Sequence, residues 1–501
     1  MIMILLDVKE AFFTSKLIKD DKDRTTEPGT LWCKVHRGSE VYENDEKFVL
    51  TSENREAYES YWHGKGDAYR ELTKETPGTQ GAPAAFQRLL LELLKEFGAI
   101  QSRHDPCVVS FAKPGFEDMA RGHRGNPERL QWLKSTGTVH VDDIKLWADN
   151  EKFAEDLVEF LKARGVECTW TVMKPNDTRP HCGENITIGP DYEYVTYDQL
   201  GYTRSEMKEI VLEPGRAARG DQKCTAREVT AFRGSHGQTS WVTGKTACVE
   251  AYEDSYAASA VGDLRIRDIL RQNKLVRTLK AEKFFVKMPK LSWPLKLQLI
   301  GDAGQGEPGR EDWSRAIGGK YIGVMSDSPR GTAGPMGTIL CKTGRLTRQT
   351  NGSFAAETVN LSELTDFGQL SAGMLEEYVN GIRPTFADRI DRLREGLEDI
   401  ERVPITIDIS TDCEDLIERL ESINLWAGKQ KSLVNQVAEM RDLIRMKKLR
   451  LPLYCDGQNI EMDAVNRKED KKSRNTKSRL RRMLEDGKYE PSVKAPKHRK
   501  Q

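Results

Sequence analysis

The sequence predicts a multidomain protein of mixed α/β and α+β class, and three observations predict it. The chain has 501 residues, enough for two to four domains at roughly 100–200 residues each. Hydrophobic residues make up 38% and glycine contributes 40 positions, which is enough apolar material for several cores and excludes wholesale disorder. From residue 297 on, strand-like and helical patterns run as three strands, helix, strand, helix, strand, helix. That order implies a sheet opened by an antiparallel meander and continued by crossovers.

The elements can be justified in order. Met1–Leu6 is a short apolar strand that meets Asp7. Residues 18–80 are polar and carry no clear period. Residues 86–97 have the apolar density of a largely buried helix, and Cys107–Ala112 reads as a strand. Thr136–Val141 and Ile144–Ala148 flank Asp142-Asp143, which predicts a hairpin with both carboxylates at its tip. A helix over 151–164 and a strand near 166–173 follow. Residues 174–296 mix short strands and helices, with a long helical pattern over 262–281.

Strands are then predicted at 297–300, 318–325, 337–342, 405–410 and 450–455, and helices at about 357–400 and 432–448. Asp302, Asp412 and Asp463 follow strands, and Glu357 opens the long helix. Residues 467–500 hold fourteen Lys/Arg against five Asp/Glu. With no apolar period recognised there, 467–501 reads as a basic disordered tail.

Composition narrows the function classes. Lys+Arg and Asp+Glu both total 78, so net charge points to no partner. The nine cysteines are scattered without a CxxC pair, and the eight histidines do not cluster. This argues against a disulfide framework and a zinc module, and for an intracellular protein, cytoplasmic or nuclear and not secreted. Neither a signal peptide nor a membrane-spanning run is visible.

The chemistry lies in the acids. Asp-Asp at a turn is ordinary turn chemistry taken alone. Two adjacent carboxylates converging with a third, Asp7, also make an oxygen-rich site suited to two Mg²⁺ ions. The surrounding words sharpen this. Asp7-Val8-Lys9-Glu10-Ala11-Phe12-Phe13 and His140-Val141-Asp142-Asp143 resemble reverse transcriptase motifs A and C. Pro77-Gly78-Thr79-Gln80-Gly81-Ala82-Pro83-Ala84-Ala85-Phe86 resembles motif B, and His104-Asp105-Pro106-Cys107 the stretch after it. The family resembled is the copia-type retrotransposon Pol polyprotein.

The resemblance implies a reverse transcriptase palm over 1–175 with its fingers largely missing, and a thumb- or connection-like linker over 176–296. A ribonuclease H-like domain over 297–466 would follow. Asp7, Asp142 and Asp143 would bind two Mg²⁺ ions. Phe12 would stack under the incoming sugar, with Phe13 the other candidate for that ring, and Gln80 and Gly81 would border the nucleotide. His140 stands where the family has Tyr, and Gly81 where motif B has Gln.

The element order after 297 is that of ribonuclease H, whose carboxylates come from strand one, helix one, strand four and the start of the last helix. Asp302, Glu357, Asp412 and Asp463 stand at those places, with Asp415 the alternative to Asp412. Ile300-Gly301-Asp302-Ala303, Phe354-Ala355-Ala356-Glu357 and Thr411-Asp412-Cys413 resemble the family's words. Gly304-Gln305 replace its second acid and Trp, and Gln436 and Asp442 stand where its histidines fall. By resemblance these four acids would hold two Mg²⁺ ions and hydrolyse the RNA of an RNA–DNA hybrid. The implied partners are that hybrid, a primer–template, deoxynucleotide triphosphates and the missing polyprotein segments. A nuclease-only fragment or an inactive nucleic-acid-binding remnant is the alternative.

Overall fold

The computed structural model describes residues 1–8, 32–35, 68–71, 82–116, 132–304, 316–348, 350, 352–381, 405–422, 432–455, 460–466 and 471–491. These divide into two units, the first drawn mainly from residues 1–172 and the second mainly from 173–501. Among the described residues no helix is long and apolar enough to cross a membrane.

In the first unit β1 is Ile2–Val8, and β2 (Trp32–Val35) pairs antiparallel with β3 (Ala68–Glu71). Strands β4 (Ala99–Gln101), β5 (Val108–Ala112), β6 (Leu133–His140), β7 (Asp143–Ala148) and β8 (Cys168–Met173) join β1 in one sheet. Its order is β4-β5-β6-β7-β1-β8. Strands β6 and β7 alternate buried with half-buried residues, the period-2 signature of a sheet with one face covered. The cover is two amphipathic helices, α1 (Ala82–Glu96) and α2 (Glu151–Ala163). Phe86, Leu90 and Leu94 of α1 and Phe153, Leu157 and Leu161 of α2 share one core with Ile4, Leu6, Val139, Ile144 and Leu146. Asn150 caps α2 by accepting the Phe153 N–H at 3.2 Å.

The second unit holds two sheets. Strands β9 (Thr178–His181), β10 (Glu184–Ile188), β11 (Tyr194–Asp198) and β12 (Phe285–Pro289) form an antiparallel sheet in the order β12-β11-β10-β9. Between β11 and β12 run α3 (Leu200–Ser205), α4 (Ala226–Thr243), α5 (Ala251–Ala260) and α6 (Ile266–Ala281). Helix α4 begins with a capping box of Thr225 and Glu228.

The other sheet is built from β13 (Leu295–Gly304), β14 (Ile317–Ser326), β15 (Gly334–Arg345), β16 (Thr406–Thr411), β17 (Leu453–Tyr454) and β18 (Lys488–Tyr489), in the order β17-β16-β13-β14-β15-β18. The meander β13–β14–β15 is antiparallel, whereas β16 and β17 add parallel to β13's other edge. Helices α7 (Ser353–Asn380), α8 (Glu414–Glu421) and α9 (Ser432–Arg445) make the crossovers, and α10 (Asp463–Asn466) and α11 (Lys471–Asp486) close the chain. Strand β17 is shorter than the strand expected over 450–455.

The segments expected as linker and ribonuclease H-like domain share one core. Val242, Leu275, Val276 and Leu279 pack in the same cluster as Tyr321, Met325, Met336, Met462 and Leu480.

Residues 471–491 correct the expectation of a disordered tail. They form α11 and β18, and β18 pairs with β15 through Gly334↔Tyr489. Thr476, Leu480, Met483 and Leu484 are buried at helical spacing. Three basic residues of α11 have acidic partners: Lys477 with Glu250 at 2.7 Å, Arg479 with Glu461 at 2.7 Å and Arg481 with Glu282 at 2.5 Å.

Candidate functional site

Parallel pairing of β13 and β16 sets Ile300 opposite Ser410. Two residues further along each strand lie Asp302 and Asp412, so the register carries both acids to the same carboxyl-terminal edge. Glu357, in the first turns of α7, reaches the same point. One oxygen from each of Asp302, Glu357 and Asp412 lies within 4.8 Å of the others. Asp302 and Glu357 are buried and Asp412 is half-buried. Asp415 is exposed on α8, so Asp412 is the acid that joins the group.

The electrostatics follow from this crowding. Glu357 Oε1 accepts the Ala303 N–H at 2.9 Å, while its Oε2 is buried without a hydrogen-bond donor. Burial first, and then the negative charges of Asp302 and Asp412, hold the Glu357 carboxyl well above its ordinary range. The Ala303 bond offsets this only in part. A proton shared with Asp302 or a cation among the three acids would satisfy the orphaned oxygen. All the donors are hard carboxylate oxygens, which fit Mg²⁺ or a similar divalent ion. The neighbouring Cys413 thiol is pushed up to about 12 by burial and then by Glu357. In the metal-free protein this thiol is protonated at neutral pH.

Asp463, the first residue of α10, is buried but lies outside the group of three. Its helix packs on the sheet next to them. A Cβ on Gly319, the residue paired with Asp302, would stand 2.9 Å from the Met462 carbonyl oxygen.

A pH dependence follows. Glu357 has an ordinary value of 4.5 and is raised in the folded state, so above pH 4.5 the native state binds more protons than the unfolded one. The stability this group contributes to the metal-free protein is therefore greatest below pH 4.5 and is lost as pH rises toward the folded value. Thermal melts between pH 5 and 8 with a chelator check this, and adding Mg²⁺ should flatten the slope. A metal-free protein whose stability climbs with pH across that range would contradict it.

The first unit presents its acids differently. Asp7 on β1 pairs with Asp143 on β7, and His140 also pairs with Asp143. Asp142 sits in the turn between β6 and β7 and its carbonyl accepts the Val8 N–H at 3.2 Å. Val141 before it has φ 55°, a costly conformation for a β-branched residue. Gln87 of α1 pins it, accepting the Val141 N–H at 2.6 Å and donating to the Val139 carbonyl at 3.1 Å. The charge of Asp7 reaches Cys168 on β8, whose thiol is pushed up to about 11, chiefly by burial. Asp7, Asp142 and Asp143 are not gathered within 4.8 Å of one another as the second unit's acids are. Phe12, Gln80 and Gly81 lie outside the described residues.

The sequence reading missed Asn360, one turn beyond Glu357 and fully buried. In the half-polar run Val359–Leu364, which also holds Ser362 and Glu363, nothing in the sequence singled it out.

No protein-family model matches the chain, and no curated protein does. Among solved structures, a ribonuclease H1 isolated from compost by a metagenomic approach aligns at 12% identity and a TM-score of 0.21. That alignment covers 34% of this chain and 91% of the other. The foamy viral protease-reverse transcriptase in complex with dsDNA aligns at 11% identity and a TM-score of 0.19, over 91% of this chain and 68% of the other. At these TM-scores neither likeness adds to what strand order and acid geometry already say.

Proposed function

We propose that the second unit hydrolyses the RNA strand of an RNA–DNA hybrid with Mg²⁺. The chain as a whole is then read as the polymerase and nuclease portion of a copia-type retrotransposon polyprotein. The observation that carries the reading is the gathering of Asp302, Glu357 and Asp412 at one sheet edge. When bound there, a divalent ion supplies Lewis-acid charge to the phosphate and a more acidic water.

The chain's own residues do the rest. Asp302 and Asp412 fix two oxygen positions from adjacent strands. Glu357 contributes the orphaned Oε2, held in aim by its bond to Ala303. Its raised proton affinity means that protonation of Glu357 would compete with a cation for the same oxygen. Asp463, at the start of the short α10, is the fourth candidate ligand, two Mg²⁺ ions being the expected complement.

For the first unit the reading is RNA-directed DNA polymerisation, with Asp7, Asp142 and Asp143 as the metal-binding acids. Its substrates would be a primer–template and deoxynucleotide triphosphates, and Phe12, Gln80 and Gly81 the residues facing the nucleotide. The cross-strand pairing of Asp7 with Asp143 supports it. The looser arrangement of these three acids favours a second reading, in which the nuclease alone works.

The test is an end-labelled RNA–DNA hybrid and, in parallel, a primed template with all four deoxynucleotides, each in Mg²⁺. Cleavage confined to the RNA strand is the expected result. Extension lost in Asp142→Asn would add the polymerase, and cleavage without extension would leave the nuclease alone. A folded protein that leaves the hybrid intact would reduce the acids to ancestry.

A further inference from the structure

Helix α7 does more than deliver Glu357. The pairing of β13 with β16 ends at Ile300↔Ser410, so the Ala303 N–H lies beyond the last ladder position on that side. Glu357 Oε1 takes it at 2.9 Å. The carbonyl of the same peptide unit, that of Asp302, points to the other side of the strand. Asn360 Nδ2 donates to it at 3.0 Å, and to the paired Gly319 carbonyl at 3.1 Å. Both neighbours are acceptors, so the amide nitrogen must be the atom facing them. One peptide unit, the one carrying Asp302, is thus held at both ends by two side chains one turn apart on α7.

The fit has a cost that marks it as specific. Asn360 is fully buried, and its Oδ1 finds no donor, an arrangement that usually destabilises. It is possible only because residue 318 is glycine: a Cβ there would collide with Asn360 Oδ1.

We propose that Asn360 is the positioning residue of the carboxylate site. It fixes the Asp302 peptide against Glu357, so that the affinity of the three acids for a divalent ion depends on it. The inference rests on the reading of Asp302, Glu357 and Asp412 as a cation site.

The test measures Mn²⁺ binding to the full chain by calorimetry, with thermal melts alongside. Asn360→Leu removes both donors at nearly constant volume, and Gly318→Ala displaces Asn360 by a separate route. Each should weaken Mn²⁺ by about 10–100-fold, the range for residues that orient metal ligands. Thr365→Val, one turn further on and bonded only within the helix, serves as the structural control. It should lower the melting temperature with Mn²⁺ affinity unchanged. In a cleavage assay, excess Mn²⁺ should restore the two positioning variants toward the wild-type maximal rate. If Asn360→Leu fails to fold, Gly318→Ala decides. Folded variants that bind Mn²⁺ as tightly as the wild type would overturn the inference and leave the site reading standing. A wild-type chain that binds no Mn²⁺ would overturn both.

Discussion

A chain ending at Asn466 should lose the cooperative unfolding of its second unit. Leu480, Met483, Leu484 and Tyr489 are 0%, 3%, 2% and 1% exposed, and all four belong to the core that also holds Tyr321, Met336 and Met462. At about 1.5–3 kcal/mol for each fully buried large side chain, their loss removes roughly 6–12 kcal/mol. That is comparable to the whole stability of an ordinary domain, about 5–15 kcal/mol.

The electrostatic loss runs the same way. Glu461 and Glu250, both buried, lose Arg479 and Lys477, and each is then a buried carboxylate without its cation. Burial already outweighs those cations, since both carboxyls sit above their ordinary value. The β15 edge is uncovered too, because Met336 loses its bond to the Gly487 carbonyl at 2.8 Å, and Ser410 loses its side-chain bond to Tyr489 at 3.1 Å. Circular dichroism melts and dye binding to exposed apolar surface would register the change. A truncated chain with the wild-type melting temperature would show that α11 is an appendage. Leu480→Asp in the full-length chain should reproduce much of the loss without removing any cation.

That helix shows where sequence legibility ended. Leu480, Met483 and Leu484 do fall at i, i+3 and i+4, but nine of the sixteen residues of α11 are charged. A basic run reads as solvated unless its acidic partners can be seen. Those partners, Glu250, Glu282 and Glu461, lie as far as 227 residues away for Lys477 and Glu250, beyond any local period.

The meander was legible because 297–300, 318–325 and 337–342 each carry a strand-like run in the sequence. So was the two-strand hairpin around Asp142, because apolar and polar residues alternate on both sides. The placement of Asp302, Glu357 and Asp412 on their elements followed from element order. The buried ion pair of Lys296 and Asp408, 2.9 Å apart and 1% and 0% exposed, could not be read. Each looks like an interruption of its strand until parallel pairing, Lys296 with Thr406 and Gln298 with Asp408, sets them as diagonal neighbours. Asn360 was hidden for the same reason, since its acceptors are backbone carbonyls on strands that precede it by tens of residues.

Asp302→Asn should lower hybrid cleavage by about 10³-fold, the rate equivalent of losing several kcal/mol of charge stabilisation at the phosphate. It should also have a second effect of opposite sign. Without metal, the three clustered acids repel one another, and this repulsion adds to the burial that raises Glu357. Neutralising one of them relieves the repulsion at nearly constant shape. The metal-free variant should therefore melt no lower than the wild type, and near neutral pH somewhat higher, while the stabilisation that Mg²⁺ gives the wild type disappears. An acid with a purely structural role would behave in the reverse way, losing stability and keeping its response to the ion. Asp412→Asn should follow Asp302→Asn, because it belongs to the same group of three and also faces Glu357. Asp415→Asn should resemble the wild type, because that side chain is exposed and outside the group. Cleavage by Asp302→Asn at the wild-type rate would remove the second unit's acids from the chemistry, whatever the melts show.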